Sequence, residues 1–289
     1  MNNTVFVTFV YPNCEKHLPK MMRSLNEQSD TDFDIIIFND GMKNIGGICE
    51  TQLDQSVQIY PVVGSIPKIR EIGLARLKTT DYTNVIFGDA DDSFASNRIE
   101  VAKTLLLEHD LVVNDVHLCH EPPKKSVSNY FQKRIQVNSH FNYRAIKNSN
   151  FIGFSNSSIR MSKIPHIEFN DDIIAVDWAL FTTILLEGAR AYFTGNTYTT
   201  YFIHENSHYD VTSKNLVSML YKAQVKSKHY QYLSSKGLGF KEECKNIDLI
   251  IKRLTDEISS GYEQPNLIDD CDCPLWWELP SKVYLEKNC

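Results

Sequence analysis

Three carboxylates within four positions, Asp89, Asp91 and Asp92 of the run "NVIFGDADD", close a short and otherwise apolar stretch. Hard divalent cations prefer carboxylate oxygens, and Mg²⁺ commonly takes one or two of them and completes its shell with water and substrate phosphates. Asp89 and Asp91, one residue apart at the end of a strand, suit that arrangement. A solvated turn is the plainer account of an isolated pattern of this kind, because Asp and Asn are common turn residues. The elements that carry the aspartates decide between the two.

Those elements read as alternating strands and helices. "TVFVTFVY" is β-branched, aromatic and apolar on both faces, which predicts a strand buried inside a parallel sheet. "EKHLPKMMRSLNEQ" follows with Leu18, Met21, Met22 and Leu25 at helical spacing and Pro19 placed for a first turn. "FDIIIFNDG" and "VQIYPVV" predict further strands, "IPKIREIGLARLKTT" a helix over 66–80, and "NVIF" the strand that delivers the aspartates. Such an order predicts an α/β layer sandwich with a mostly parallel sheet, Rossmann-like and flanked by helices. In open α/β sheets ligands bind beyond the carboxyl ends of the strands. Three polar stretches occupy such ends, "YPNCE", "NDG" (Asn39, Asp40, Gly41) and "GDADD", and parallel strands would bring them to one rim.

Composition bounds the classes. The chain has 289 residues, 42% of them hydrophobic, which is ample for a large core. A net charge of −6 offers no basic field for nucleic acid, so none is expected as a partner. Seven cysteines are scattered; Cys271 and Cys273 form the closest pair, without a second pair to complete a metal site. A reduced, cytosolic protein is the expectation, with no signal peptide at the N-terminus and no run long enough to span a membrane.

The series "DIIIFNDG", "IREIGL", "IFGDADD", "SNFIGFSNSSIRMSKI" (149–164), "AVDWALFTTILLEGA" (175–189) and "TTYFIHENS" (199–207) resembles the GT-A glycosyltransferases, and within them the inverting family 2. The likeness covers roughly residues 4–207 and implies a catalytic domain over 1–207 followed by a C-terminal helical extension over 208–289. It implies a metal-dependent transfer of a sugar from a UDP-, GDP- or TDP-linked donor to a hydroxyl of a glycan or lipid-linked acceptor, in glycan or surface polysaccharide synthesis, with Mn²⁺ or Mg²⁺ as cofactor. Residue by residue, Asp40 and Arg70 match donor-nucleotide contacts, and Asp89 and Asp91 look like the DxD, with Asp91 the direct metal ligand and Asp89 the partner of ribose or metal. Asp177 is similar to the catalytic base, and His204 to a histidine near the diphosphate or metal. Asn39 and Glu71 depart from the family pattern.

By itself Asp177 also reads as a helix N-cap or first-turn acid, Arg70 as a surface cation, and His204 as a structural histidine after a Gly195-Asn196 hairpin turn. Asp171 and Asp172 compete for the base role and read as turn residues. Two rivals stand beside the enzyme reading. A sugar nucleotidyltransferase would carry a Gly-rich basic phosphate loop after its first strand, which "VYPNCEKHLPK" lacks. An inactive GT-A module that binds a nucleotide sugar or a protein partner has no physical need for the aspartates.

The tail predicts two helices. In 213–235, Leu216, Met219, Leu220 and Val225 face a core, while Lys214, Lys222, Lys226 and Lys228 with Tyr221, Tyr230 and Tyr232 form either a face for an anionic membrane surface or a merely solvated one. Residues 240–259 predict the second helix, and Trp276-Trp277 either docks back on the domain or makes a dimer contact.

Overall fold

The computed structural model describes residues 2–120, 126–203 and 215–262, so His204, Cys271, Cys273, Trp276 and Trp277 lie outside the described residues. Chain order is β1 (Thr4–Val10), α1 (Leu18–Asn26), β2 (Asp34–Asn39), α2 (Ile45–Gln52), β3 (Val57–Pro61), α3 (Ile66–Leu77), β4 (Asn84–Phe87), β5 (Ser93–Phe94), α4 (Arg98–Leu105) and β6 (Leu111–His120). It continues with β7 (Ser126–Val127), β8 (Ser139–Phe141), β9 (Ser157–Arg160), α5 (Val176–Leu186), β10 (Ala191–Ile203), α6 (Leu216–Ser235) and α7 (Lys241–Ser259).

The strands form one sheet in the order β3-β2-β1-β4-β9-β6-β10-β5, with β7 beside β6 and β8 beside β10. β1 pairs in parallel with β2 and β4, and β2 with β3; β9 runs antiparallel between β4 and β6, so β6 and β10 again point the same way as β4. Alternation along β1 sorts side chains onto two cores. Val5, Val7 and Phe9 pack with α3, α5, α6 and α7 on one face, whereas Phe6 and Val10 pack with α1, α2 and α4 on the other. A strand covered on both faces must be apolar throughout, which is why the sequence of β1 shows no polar side.

β1 lies between β2 and β4, where the chain reverses its direction of travel across the sheet. The ends of β1, β2 and β4 therefore open one crevice, the position at which such sheets bind ligands. Gly88 closes β4 where no side chain fits: a Cβ there would lie 2.3 Å from Phe6 Cζ and 2.5 Å from Phe94 Cζ. Overpacking of this kind costs about 1–3 kcal/mol, so glycine here sets the exit of the chain toward the aspartates.

Two expectations fail. Gly195-Asn196 makes no hairpin: β10 continues through it as one strand whose pairing with β6 shifts register between Thr194 and Tyr198. A bulge absorbs the turn-forming pair because the flanking segments both find the same neighbour. The basic aromatic face of α6 is mostly covered, since Lys222, Lys226, Tyr230 and Tyr232 are buried. α6 lies between α5 and α7, Lys226 Nζ donating to the Asn148 carbonyl at 2.9 Å and Tyr232 hydroxyl to the Glu168 carbonyl at 3.1 Å. No helix among the described residues is long and apolar enough to cross a membrane.

Candidate functional site

Asp89 leaves the end of β4 and meets Arg70, whose guanidinium lies 3.7 Å from its carboxylate. Arg70 is carried by α3, which Gly73 lets approach β1 and β2: a Cβ there would strike the Phe9 ring at 2.6 Å. The guanidinium is held over Phe9 (3.9 Å) and Phe154 (4.7 Å), so it is a clamped residue of the crevice rather than a surface cation. Burial pulls its pKa down, and the charges of Asp89, Asp177 and Asp91 oppose that pull. Its Nη1 is buried without a hydrogen-bond partner among the described residues. An orphaned guanidinium N–H beside a crevice is a vacant donor site for an anion.

The three aspartates of "GDADD" separate. Asp91 faces Tyr11 at the end of β1, whose hydroxyl lies 3.4 Å from Oδ2. Asp92 turns inward, 1% exposed, where Oδ2 accepts from Ser155 Oγ and Oδ1 from the Phe202 backbone N–H at 3.1 Å. Burial, with Asp91 and Asp89 adding, holds Asp92 well above the usual carboxylate range. Asp92 thus fastens the turn to β10, and Asp89 and Asp91 are left facing the crevice. Behind them Arg98, also buried, donates to the Phe87 carbonyl (2.6 Å) and Asn114 Oδ1 (3.1 Å) and neutralises part of the charge.

Asp177 is the second residue of α5, and its Oδ1 accepts the Trp178 N–H at 2.7 Å. It is a first-turn acid, and α5 also aims it: Trp178 is buried, with its indole N–H on the Ile146 carbonyl at 2.8 Å and its ring stacked on His229 at 4.0 Å. Asp177 and Asp89 line one cavity of about 170 Å³. Burial raises the Asp177 carboxyl to about 6, the Trp178 N–H opposing and Asp89 adding to the rise. Burial likewise raises Asp89 to about 6 against the pull of Arg70, although its side chain stays 32% exposed. A carboxyl raised to about 6 is mostly ionised at neutral pH yet more basic than an exposed aspartate, the range that acid–base groups use.

Asp40 stands on the same rim at the end of β2, its backbone N–H on the Val10 carbonyl at 2.9 Å. It makes no side-chain hydrogen bond or ion pair with another described residue. Its neighbour Asn39 is committed to the turn, exchanging two hydrogen bonds with the Met42 backbone at 2.8 and 2.9 Å. Glu71 pairs with Lys68 and accepts the Phe169 N–H at 3.3 Å, outside the crevice. Asp171 accepts from Ser65 Oγ at 3.2 Å and Asp172 from Lys228 at 2.5 Å, and neither lines the cavity.

Ser155, Asn156 and Tyr201 lie inside the runs "SNFIGFSNSSIRMSKI" and "TTYFIHENS" without standing out there, and Arg98 has no sequence signal of its own. The one hint is polar residues where apolar ones are expected, as at Asn114-Asp115 inside "LVVNDVHL". Among the described residues no three His, Cys, Asp or Glu side chains gather as a closed metal cage. Asp89 and Asp91 alone match the one- or two-carboxylate mode in which water and phosphates complete the shell.

No family model matches the chain, and no curated protein does. Among solved structures it is similar to S. aureus TarS 1–349 in complex with UDP-GlcNAc, at 17% identity over 90% of this chain and 73% of that chain, with a TM-score of 0.60. It is similar to the mannosyltransferase PcManGT from Pyrobaculum calidifontis in complex with GDP-Man and Mn²⁺ (12%, 90% and 74%, TM-score 0.59). GalNAc-T7 with UDP, GalNAc and Mn²⁺ is a third (10%, 93% and 60%, TM-score 0.57). At these identities the likeness is one of fold, and the fold is that of the GT-A glycosyltransferases.

Proposed function

We propose that this chain is an inverting, metal-dependent glycosyltransferase using a nucleotide-sugar donor. The observation that carries the reading is the convergence of Asp89 and Asp177, 88 positions apart in sequence, on one cavity, with Arg70 3.7 Å from Asp89. The solved structures of like fold were obtained with UDP-GlcNAc, with GDP-Man and Mn²⁺, and with UDP, GalNAc and Mn²⁺, which supports a donor of that class.

In this reading Asp40 and Arg70 hold the nucleotide, Arg70 supplying a charge-assisted donor to the diphosphate. Asp91 and Asp89 would hold Mn²⁺ or Mg²⁺, with His204 as a further candidate outside the described residues. A divalent ion, when bound, acts as a Lewis acid on the departing diphosphate. Asp177 takes the proton of the acceptor hydroxyl as it attacks the anomeric carbon from the face opposite the leaving group. General-base catalysis contributes roughly 10²- to 10⁴-fold. A carboxyl titrating near 6 is ionised at neutral pH and still basic enough to share that proton. Clamping Arg70 between two rings and Trp178 beneath Asp177 fixes donor and base before substrate arrives, and such positioning supplies much of the remaining acceleration. Residues 1–207 would form the catalytic domain. The helical extension would support it through α6, whose His229 packs on Trp178. The acceptor is a glycan or lipid-linked hydroxyl.

Calorimetric titration of UDP, GDP, TDP and CMP with and without Mn²⁺, on the parent and on Asp91→Ala, tests the donor site. One nucleoside diphosphate should bind with metal and lose that metal-dependent gain in the variant. Binding of none, with or without Mn²⁺, would leave the aspartates as a charged turn.

A further inference from the structure

The cavity between Asp89 and Asp177 has committed nearly all of its own polar side chains. Asn156 donates to the Asn114 and Phe151 carbonyls at 2.9 and 3.0 Å and accepts the Gly153 N–H at 2.8 Å. Asn150 exchanges two hydrogen bonds with the Ile152 backbone at 2.7 and 3.0 Å. Ser155 Oγ is on Asp92. The buried walls are hydrocarbon, formed by Val116, Leu118, Phe131 and Trp178, with the exposed Ile174 beside them. The carboxylates of Asp89 and Asp177 meet Arg70 and the Trp178 N–H, and Tyr201 is the lining residue whose side-chain polar atom has no hydrogen-bond partner among the described residues. It sits at the end of β10, next to the Phe202 N–H that holds Asp92. Its phenol is a hydrogen-bond donor at neutral pH.

At the one sugar position that faces these walls, a hydroxyl would be buried against hydrocarbon without a partner, which is costly. An acetamido group meets the lining with all three of its parts: a methyl for the hydrocarbon wall, a carbonyl for the Tyr201 hydroxyl, and an N–H for a carboxylate. The volume, about 170 Å³, falls below the roughly 300 Å³ of sites that enclose drug-sized ligands, so the cavity takes only a part of a nucleotide sugar. We infer that the transferred sugar is a 2-acetamido-2-deoxyhexose, selected by the apolar wall and by the Tyr201 hydroxyl. The inference rests on the donor-site reading above, since it is the sugar attached to a diphosphate at Asp89 and attacked from the side of Asp177 that occupies this cavity.

Calorimetry in Mn²⁺ compares UDP-N-acetylglucosamine with UDP-glucose, UDP-N-acetylgalactosamine with UDP-galactose, and UDP itself. If only GDP or TDP binds, the acetamido and hydroxyl forms of that donor replace the pairs. The acetamido member of one pair should bind about tenfold or more tightly, because a site built around a polar group rejects the analogue lacking it. Tyr201→Phe should remove most of that preference while leaving affinity for the bare nucleoside diphosphate within about twofold. Thermal melting confirms that the variant folds. Equal or tighter binding of the hydroxyl sugars, or tightest binding of a 6-deoxyhexose donor such as TDP-rhamnose, overturns the sugar assignment and leaves the donor site standing. A preference untouched in Tyr201→Phe overturns the role of Tyr201. Failure of every nucleoside diphosphate to bind defeats the donor-site reading and this inference with it.

Discussion

Asp110 and Asp177 are both acids set at the start of an element, and they occupy opposite environments. Asp110 immediately precedes β6, at the end of the sheet away from the crevice, and its carboxylate is 5% exposed. Arg160, Lys163 and Arg190 stand 3.6, 3.7 and 3.5 Å from it, and the Arg190 N–H donates at 3.0 Å. Burial would raise the Asp110 carboxyl, but the Arg190 backbone and side chain, with Lys163, outweigh it and hold the pKa below the usual value. Asp177 has one backbone N–H, sits over a cavity it shares with Asp89, and is pushed up to about 6. A carboxylate surrounded by cations is a fastener, whereas one left short of them retains the proton affinity that chemistry needs.

Substitutions at the two sites should therefore fail in different ways. Asp177→Asn should lower turnover about 10²- to 10⁴-fold while donor affinity stays within about twofold, as steady-state kinetics and calorimetry together would read. Unchanged turnover would move Asp177 into the class of Asp110. Asp110→Ala should cost about 2 kcal/mol in denaturant unfolding, the loss of charged hydrogen bonds from a buried acceptor, with donor affinity unaltered. A fall in donor affinity there would erase the contrast.

pH separates them further. The parent's kcat/KM should fall below an apparent pKa near 6, the acid limb of a base that must be ionised. Stability runs the other way for this group. Its folded pKa lies above the unfolded value of about 3.9, so its favourable contribution is present below that value and lost as pH rises through about 6. Asp177→Asn should accordingly gain Tm over the parent by about 2–4 °C at pH 7, with the gain vanishing toward pH 4. For Asp110, depressed in the folded state, the sign reverses: its stabilisation is present above about 3.9 and fades as pH falls further, so the penalty of Asp110→Ala should shrink in acid. Parallel pH trends for the two variants would contradict the distinction.

Strand ends and helical periods are local properties, and those parts of the molecule were legible. β1, β2, β3 and β4, together with α1 and α3, lie where period and punctuation place them, and their parallel pairing puts Tyr11, Asp40 and Asp89 on one rim. α2 has no legible signature, because Gly46 and Gly47 in its first turn oppose helix formation and tertiary packing of Ile45 and Cys49 overrides them. The sequence alone determined that acids close an apolar strand and that another acid opens an apolar helix. Only the tertiary structure decided that Asp92 faces inward while Asp89 and Asp91 face the crevice. It also decided that Arg70 is clamped by Phe9 and Phe154, that Lys222 and Lys226 are buried, and that Tyr201 completes the cavity. Burial and charge pairing are sums over neighbours distant in sequence, and those sums exist only once the sheet and its helices have closed.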